Sequence, residues 1–412
     1  MALVVQKYGG TSVADTNKIK KIVASRILRT KKAGDELVVV VSAMAGVTDE
    51  LIDLAKKITP NPQGREYDVL VSTGEQVSVA LLALSLESSG CRAKSHLGHQ
   101  VKIVTDRSYG RARILNIDNK GIKDDLKEGK VVIVAGFQGV DEEGNITTLG
   151  RGGSDTTAVA LAASLEADRC EIYTDVEGIF SADPNVCSKA RKLDRISYDE
   201  ILEMASLGAK VLHSRSVELA KKFHVPLVVK STFSENSGTL VMEENKDMES
   251  NIVSGVTYNL SEAKITIRGV PDNPGVASEI FSPLSEANIV VDMILQNVGE
   301  KKLTDMTFTV SKNDCDEALK LIKPIAGRMG AKDAKVDKSI SKVSVVGVGM
   351  RSHAGIASRM FSALAREGIN IMMISTSEIK ISCVISSKYT ELAVRVLHEA
   401  FELAGQGKPE EE

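Results

Sequence analysis

The sequence predicts an α/β protein with a mainly parallel sheet, followed by two smaller ferredoxin-like units. Two observations lead to this prediction. In the first half, continuous β-branched runs such as residues 38–41 and 131–134 alternate with helical patterns, as in parallel sheets that are covered on both faces. In the second half, residues 264–299 align with residues 344–379, which indicates an internal repeat.

Length, charge and cysteine usage narrow the class of protein. A chain of 412 residues should hold two or three domains. A net charge of −3 gives no indication that the protein binds nucleic acid or a membrane surface. We expect no signal peptide and no membrane span, because the N-terminus reads as a strand and no apolar run approaches about 18 residues. Five scattered cysteines indicate reduced thiols and a cytoplasmic location: Cys91, Cys170, Cys187, Cys315 and Cys383.

The N-terminus combines a strand, a glycine loop and a helix. Residues 2–6 read as a buried strand, residues 7–12 (KYGGTS) as the loop, and residues 15–30 as a helix with one apolar face. This order suits phosphate binding, with Lys7 at the strand end. Taken by itself, Lys7 is more typical of a solvated strand-end lysine, and the chain has no Walker motif.

A second glycine loop, residues 150–153, follows the strand 131–137 and opens another helical pattern. The helix start offers free N–H groups to an anion, and Arg151 adds a fork that matches a carboxylate or phosphate. Asp155 falls in the first turn. The alternative is a plain loop in which Ser154 or Asp155 caps the helix.

The remaining first-half elements place further polar clusters at strand ends, where parallel sheets bind ligands. Glu75 opens an apolar helix, 77–86, and either balances the helix dipole or binds a substrate amine. Other predicted elements are strands 37–41, 102–105, 170–174 and 225–230, a surface helix 116–128, helices 198–206 and 208–223, and a long loop 176–185.

The histidines give weak signals. His96 and His99 have the spacing of a metal pair, but a surface loop is the better interpretation. We interpret His213 as a packed helix residue rather than as an acid or base. No protein-held metal site is predicted.

Seven motifs resemble those of the aspartate kinase family, in that family's order and over the first 240 residues. A single motif of this kind would be weak, but seven in order are specific. They are KYGGTSVAD (7–15), SAMAGVTD (42–49), STGE (72–75), GFQG (136–139), GRGGSDTTA (150–158), YTDVEGIFSADP (173–184) and MASLGAKVLHSRSVE (204–218).

The resemblance implies the amino-acid kinase fold and ATP-dependent phosphorylation of the L-aspartate side chain to 4-phospho-L-aspartate, the first step towards lysine, threonine and methionine. It implies that Lys7 stabilises the transferring phosphoryl group, that Asp155 organises Lys7, and that Glu75 binds the substrate amine. Arg151 would bind the α-carboxylate. The other substrate contacts implied are Thr48, Gly152, Gly153 and Ser154.

The nucleotide contacts implied by the resemblance come from several motifs, and Mg²⁺ is expected as the counterion of ATP, held by phosphates and water. Departures from the family pattern at Glu177, Phe180 and Asn185 put single contacts in doubt, as does the Ser-Ala pair at 181–182. The implied nucleotide residues are Lys7, Tyr8, Gly9, Gly10, Ser42, Thr174, Asp175, Phe180, Ser181, Ala182, Asp183, Pro184 and Lys210.

Each repeat of the second half reads strand, helix, strand, strand, helix, which is a ferredoxin-like order. The first unit, 264–338, has a further strand at 334–337. The second unit has no such strand at its end, whereas an extra strand at 252–258 has no partner of its own. We therefore expect 250–263 to join 339–405, with the first unit inserted. The kinase domain would span 1–245, and 406–412 would be a flexible tail.

These repeats resemble ACT domains, which implies feedback inhibition by lysine, threonine or both, at sites between paired units. The alternative is a pair of purely structural, dimerising domains. We expect a homo-oligomer, and Met242 or Met248 could start a separate regulatory chain of the C-terminal half. The candidate effector residues are Asp272, Asn273, Gly275, Ala277, Asp292, Gln296, Asn370 and Ile371.

Two rival functions stay open at this stage. One is a kinase of the same fold that acts on glutamate or a related acid. The other is an amino-acid sensor on an inactive kinase scaffold. The joint presence of Lys7, Glu75, Arg151 and Asp155 argues against the sensor, because an inactive copy has no need of all four.

Overall fold

The computed structural model describes residues 1–206, 211–244, 252–298 and 302–404. Their contacts form two compact units. The N-terminal unit contains the described residues of 1–180, 192–206 and 210–248, and the C-terminal unit contains the rest. The nucleotide prediction for Lys210, the internal start at Met248 and the flexible tail all lie outside the described residues.

The N-terminal unit is built on an eight-stranded sheet with the strand order β10-β12-β11-β9-β1-β2-β6-β3. Neighbouring strands run parallel except for β11 and β12, so the predicted mainly parallel sheet is confirmed. A smaller sheet has the order β5-β4-β7-β8. The strands are β1 Leu3–Tyr8, β2 Glu36–Val41, β3 Ala93–His96, β4 Ile103–Thr105, β5 Ile114–Ile117, β6 Val131–Ala135, β7 Gln138–Val140, β8 Ile146–Thr148, β9 Arg169–Thr174, β10 Arg195–Ser197, β11 Leu227–Ser231 and β12 Thr239–Met242.

The helices of this unit cover the sheet. Strands β2 and β6 are almost wholly buried, which explains their continuous β-branched runs. A π-helical segment, Ile19–Val23, separates the first two helices. The helices are α1 Thr16–Lys18, α2 Ala24–Lys32, α3 Val47–Ile58, α4 Arg65–Val71, α5 Thr73–Glu87, α6 Lys120–Lys127, α7 Gly153–Leu165, α8 Tyr198–Ser206 and α9 Ser214–Lys222.

The surface helix predicted at 116–128 was wrong at its start. Residues Ile114–Ile117 form β5, which pairs with β4, and the helix begins at Lys120. Asp118 separates the two, since its side chain accepts a hydrogen bond from the Lys120 N–H at 3.2 Å. Helix α4 was not predicted, because only seven residues separate Gly64 from Ser72.

Residues Arg65–Glu87, which contain α4 and α5, are long and apolar enough to cross a membrane by length and composition. A core helix passes the same test. Helix α5 packs against β3 and β6 and buries Val79, Leu82 and Leu86 against the sheet. This stretch is therefore weak evidence for a membrane span.

The C-terminal unit contains two four-stranded antiparallel sheets, β15-β16-β14-β17 and β13-β18-β20-β19. Strand β13 pairs with β18 of the second repeat, as the unpaired strand of the sequence pattern predicted. The domain boundaries themselves stay predictions. The elements are β13 Gly255–Asn259, β14 Glu262–Pro271, α10 Val276–Glu286, β15 Val291–Val298, β16 Leu303–Ser311, α11 Cys315–Arg328, β17 Asp333–Asp337, β18 Ile340–Val346, α12 Ile356–Arg366, β19 Ile371–Thr376, β20 Lys380–Ser386 and α13 Thr390–Ala400.

Residues 181–191 belong to the C-terminal unit, although the sequence predicted one uninterrupted domain over 1–245. Ala182 and Cys187 lie in the apolar core of the second repeat. The Ser181 hydroxyl is 2.9 Å from Nε2 of the buried His398. Apolar burial and this hydrogen bond explain why the segment leaves the N-terminal unit.

Candidate active site

The N-terminal unit contains a cavity of about 680 Å³ at the carboxyl ends of its parallel strands. Strand β1 and the starts of α3, α5 and α7 contribute to its wall, which matches the expected position of a ligand in a parallel sheet. Ten of the predicted residues line it: Lys7, Gly10, Ser42, Thr48, Glu75, Arg151, Gly152, Gly153, Ser154 and Asp155.

Lys7 and Asp155 form an ion pair within the cavity. Lys7 Nζ lies 2.6 Å from Asp155 Oδ1, and each side chain is 12% exposed. A Cβ atom at Gly9 would come within 3.3 Å of Lys7 Nζ, and one at Gly10 within 3.0 Å of the Ala43 carbonyl oxygen. The glycines therefore keep the backbone beside the ammonium clear, as a phosphate loop requires.

Glu75 is a buried carboxylate with one free oxygen. Its Oε1 accepts a hydrogen bond from the Ala43 N–H at 2.9 Å, whereas Oε2 is buried and has no hydrogen-bond partner among the described residues. Burial raises the pKa of Glu75 to about 7, against the opposing effect of the Ala43 hydrogen bond. An unsatisfied buried carboxylate oxygen that lines a cavity is suited to an ammonium ligand.

The start of α7 forms another part of the wall. Gly152 has φ +68° at the N-cap, and a Cβ atom there would lie 2.4 Å from the Cβ of His213. A Cβ atom at Gly136 would lie 2.6 Å from Ser154 Oγ. Both glycines are required by close packing, which leaves Ser154 buried on the cavity and Arg151 exposed at its rim.

The residues predicted to bind the nucleotide are spread more widely over the structure than those that line the cavity. Tyr8 is fully buried and stacks on Tyr173 at 4.7 Å, so its side chain does not line the cavity. Thr174 ends β9 and donates a hydrogen bond to Asp175 at 3.1 Å. Phe180 is half-buried and pairs with Lys192 in a β-bridge.

The last four nucleotide candidates of this motif lie in the C-terminal unit. Ser181 and Ala182 are buried there, with 0% and 4% exposure. Asp183 accepts hydrogen bonds from Asn185 and from the Tyr258 hydroxyl, and Pro184 is exposed. The cavity described above does not include these residues, so their contacts with a nucleotide stay a prediction.

The histidines differ from the prediction at two points, because His96 lies in strand β3 rather than in a surface loop and His213 precedes helix α9 rather than lying within it. His96 is buried and its Nε2 lies 2.8 Å from Asp125, whereas His99 is exposed. His213 caps α9 through its backbone, since its carbonyl accepts from Ser216. Among the described residues there is no group of three or more His, Cys, Asp or Glu side chains that could hold a metal ion.

Sequence reasoning overlooked the residues that hold the cavity wall from behind. Asp68 accepts three hydrogen bonds from Gly110 and Thr148, and Arg215 donates to the backbone of Ala112 and Leu149. A buried carboxylate in the motif-free stretch before Ser72 carried no signal in a single sequence. Arg215 stood inside a recognised motif but was given no role.

The candidate effector residues lie mostly on the surface of the C-terminal unit. Lys342, 4% exposed, pairs with Glu262 at 2.6 Å and with Asp292. Burial raises the pKa of Glu262, and Lys342 opposes that rise. Exposed candidates are Asp272, Asn273, Gly275, Ala277, Asp292, Gln296 and Asn370, and Ile371 is half-buried.

Residues 2–231 match the amino acid kinase family, and residues 264–324 and 343–401 match the ACT domain. The fold and the cavity therefore define a kinase of small acids with appended ACT domains.

Comparison with individual proteins narrows this class. The chain is 60% identical to an aspartate kinase of Stutzerimonas stutzeri and 58% identical to an aspartokinase of Pseudomonas aeruginosa, over 98% of each chain. It superimposes on Escherichia coli aspartokinase III, solved with aspartate and ADP, with a TM-score of 0.78, 27% identity and coverage of 97% and 99% of the two chains. The chain belongs to the aspartate kinase family and is an enzyme of that class.

Proposed function

We propose that this enzyme transfers the γ-phosphoryl group of ATP to the side-chain carboxylate of L-aspartate, giving 4-phospho-L-aspartate. The observation that carries the proposal is the cavity in which an ammonium, a guanidinium and two carboxylates converge: Lys7, Arg151, Glu75 and Asp155. Their charges match a zwitterionic diacid and a phosphoryl group. The family relationship supports the same reaction.

The acid substrate would bind between Glu75 and the start of α7. The free Oε2 of Glu75 accepts the α-ammonium group, and Arg151 with the N–H group of Ser154 binds the α-carboxylate. These contacts fix the orientation of the side-chain carboxylate. That carboxylate is already ionised at pH 7 and needs no general base.

The phosphoryl group would transfer beside Lys7. Phosphoryl transfer depends on positioning and on neutralising the charge of the equatorial oxygens. Lys7 supplies a cation at the end of β1, and Asp155 holds its Nζ at 2.6 Å. Gly9 and Gly10 leave room for phosphates to approach.

ATP is the expected phosphoryl donor and Mg²⁺ its counterion. The described residues provide no cage of three or more acidic, histidine or cysteine side chains. A hard cation that keeps several water ligands is consistent with such a site, because the nucleotide supplies the charged oxygens. Mg²⁺ would add charge neutralisation at the phosphates.

We also propose feedback inhibition through the ACT repeats by lysine, threonine or both. The lysine complex of E. coli aspartokinase III, which superimposes with a TM-score of 0.77 at 26% identity, supports lysine as a candidate. Effector sites would form between paired repeats, so we expect a homo-oligomer. A separate regulatory chain of the C-terminal half is a further expectation from Met242.

The decisive experiment is a hydroxylamine-trapping assay for aspartyl hydroxamate. We expect product when ATP, Mg²⁺ and L-aspartate are all present, and loss of product when any one is omitted or when EDTA is added. A panel with L-glutamate and related acids separates this proposal from another acid kinase. A folded sample without turnover on any acid would favour the sensor instead.

A further inference from the structure

Asp68 supports one wall of the cavity through hydrogen bonds. It is 0% exposed and lies on α4, outside the cavity lining. Its Oδ2 accepts hydrogen bonds from the N–H groups of Gly110 at 3.0 Å and Thr148 at 2.6 Å, and its Oδ1 accepts one from the Thr148 hydroxyl at 2.9 Å. One carboxylate therefore ties two separate wall segments together.

Arg215 donates hydrogen bonds to carbonyl groups of the same two segments. It lies on α9 and is half-buried. One terminal nitrogen donates to the Leu149 carbonyl at 2.8 Å, and the other donates to the Ala112 carbonyl at 2.6 Å. The planar guanidinium can hold two acceptors at a fixed separation, which a lysine ammonium does less well.

The two segments also approach each other directly. The Ala112 N–H donates to the Thr148 carbonyl at 2.9 Å, and a Cβ atom at Gly150 would lie 2.9 Å from the Gly110 carbonyl oxygen. Residue 151 follows at once, so the backbone that carries Arg151 is set by this junction. Gly110, Thr148 and Gly150 all line the cavity.

We propose that Asp68 and Arg215 are positioning residues for the acid substrate: they act as a two-sided clamp that fixes the loop bearing Arg151. The carboxylate holds donors and the guanidinium holds acceptors of the same two segments, so removal of either leaves buried backbone groups unpaired. This inference rests on the proposed function. In this proposal the clamp supports binding of the α-carboxylate and not binding of the nucleotide.

The test uses steady-state kinetics of the full chain with Arg215→Gln and Asp68→Ala. We expect the KM for L-aspartate to rise by about tenfold or more, because misplacement of a binding group by about 1 Å can cost up to about 100-fold. We expect the KM for ATP to stay within about twofold, since Lys7, Gly9 and Gly10 are not held by the clamp. Arg113→Gln, an exposed arginine on the segment that follows Ala112, is the matched control and should leave both KM values unchanged.

Conservative variants separate positioning from general stability. Asp68→Asn keeps one oxygen for the two N–H groups and can donate to the Thr148 hydroxyl, so it should restore most of the aspartate affinity. Arg215→Lys should fall between the wild type and Arg215→Gln. If a severe variant does not fold, the same ranking is measured by aspartate titration calorimetry on these two conservative variants.

Equal increases in both KM values, a loss of kcat with both KM values intact, or no change in either would overturn the clamp. In those cases the wild type still turns over aspartate and the proposed function survives. A wild-type chain without aspartate-dependent turnover would remove the proposed function, and the clamp with it.

Discussion

The candidate active-site cavity and the candidate effector surface differ in how complete they are within one chain. In the cavity, Glu75 is 3% exposed and the side chains of Lys7 and Asp155 are each 12% exposed. Lys7 and Asp155 are already paired with each other. On the ACT repeats, Asp272, Asn273 and most other candidates are exposed. Burial of a carboxylate oxygen without a hydrogen-bond partner, as at Glu75 Oε2, costs free energy, and such groups are typical of functional sites.

The exposed effector candidates lack that evidence. An exposed carboxylate or amide costs little whether or not it binds anything. A site made from such residues gains specificity when a second surface covers it, which agrees with effector binding between paired repeats. The contrast predicts that substitutions in the cavity have large effects on catalysis, and that substitutions on the ACT surface have small effects on inhibition.

Lys7→Ala should give the largest effect, because it removes the cation beside the transferring phosphoryl group and leaves Asp155 unpaired. We expect kcat to fall by about 100-fold or more, as for loss of a transition-state charge. Initial rates at saturating ATP and aspartate measure this. Lys20→Ala, an exposed lysine of the π-helical segment Ile19–Val23, serves as the control; a change confined to KM would mean that Lys7 only binds substrate.

Arg151→Ala tests whether the rim of the cavity belongs to the acid site. We expect the KM for aspartate to rise about tenfold or more, since the bidentate carboxylate contact is lost. Arg151→Lys should be intermediate, because an ammonium lacks the fork. Arg92→Ala, at the exposed edge near β3, should behave as wild type. An unchanged aspartate KM in Arg151→Ala would contradict the assigned role.

Glu75 should make aspartate binding depend on pH. Its pKa of about 7 means that the carboxylate form, which alone binds an ammonium group, is lost below neutral pH. We therefore expect kcat/KM for aspartate to rise with pH and to level off above about 7, because that parameter reports groups of the free enzyme. A pH profile that is flat between 6 and 8 would show that Glu75 does not bind the amine.

The same residue should destabilise the free enzyme. The folded-state pKa is raised from 4.5 to about 7, so the unfolded state ionises first and the free energy of unfolding falls as pH rises across that interval. Glu75→Gln removes this penalty, and we expect it to stabilise the chain by about 1–3 kcal/mol at pH 8 and by little at pH 5. Thermal melts at the two pH values, without aspartate, measure the difference. An equal Tm gain at both would exclude ionisation as the cause.

Sequence patterns predicted the fold well where they report burial on both faces of an element. The runs at 38–41 and 131–134 became fully buried strands, and the unpaired strand at 252–258 found its partner in β18. They failed where neighbouring elements decide the outcome. Residues 181–191 joined the C-terminal core because Ala182 packs there and Ser181 contacts His398, which lies 217 positions further along the chain.

The residues of the candidate site also fall into two groups, those that sequence motifs predicted and those that they missed. Motifs predicted residues that line the cavity, such as Lys7 and Glu75, because loops at strand ends carry recognisable glycine patterns. The residues behind the wall, Asp68 and Arg215, act on backbone groups that are distant in sequence. No local pattern marks a hydrogen bond between a side chain and a remote carbonyl, so only the fold exposes them.

Asp292→Asn is expected to give the smallest effect and tests the exposed side of the comparison. Asp292 shares the buried Lys342 with Glu262, and its own side chain is 45% exposed. Because Glu262 keeps Lys342 paired, the fold should tolerate the change and kcat should stay within about twofold of wild type. An exposed charged contact is worth about 0.2–1 kcal/mol, so inhibition by lysine, threonine or both should weaken by about two- to fivefold.

Inhibitor titrations at fixed aspartate measure this, with Asp316→Asn on the exposed start of α11 as the control. If Asp292→Asn impaired catalysis and left inhibition intact, the division between a self-contained cavity and a surface that needs a partner would not hold.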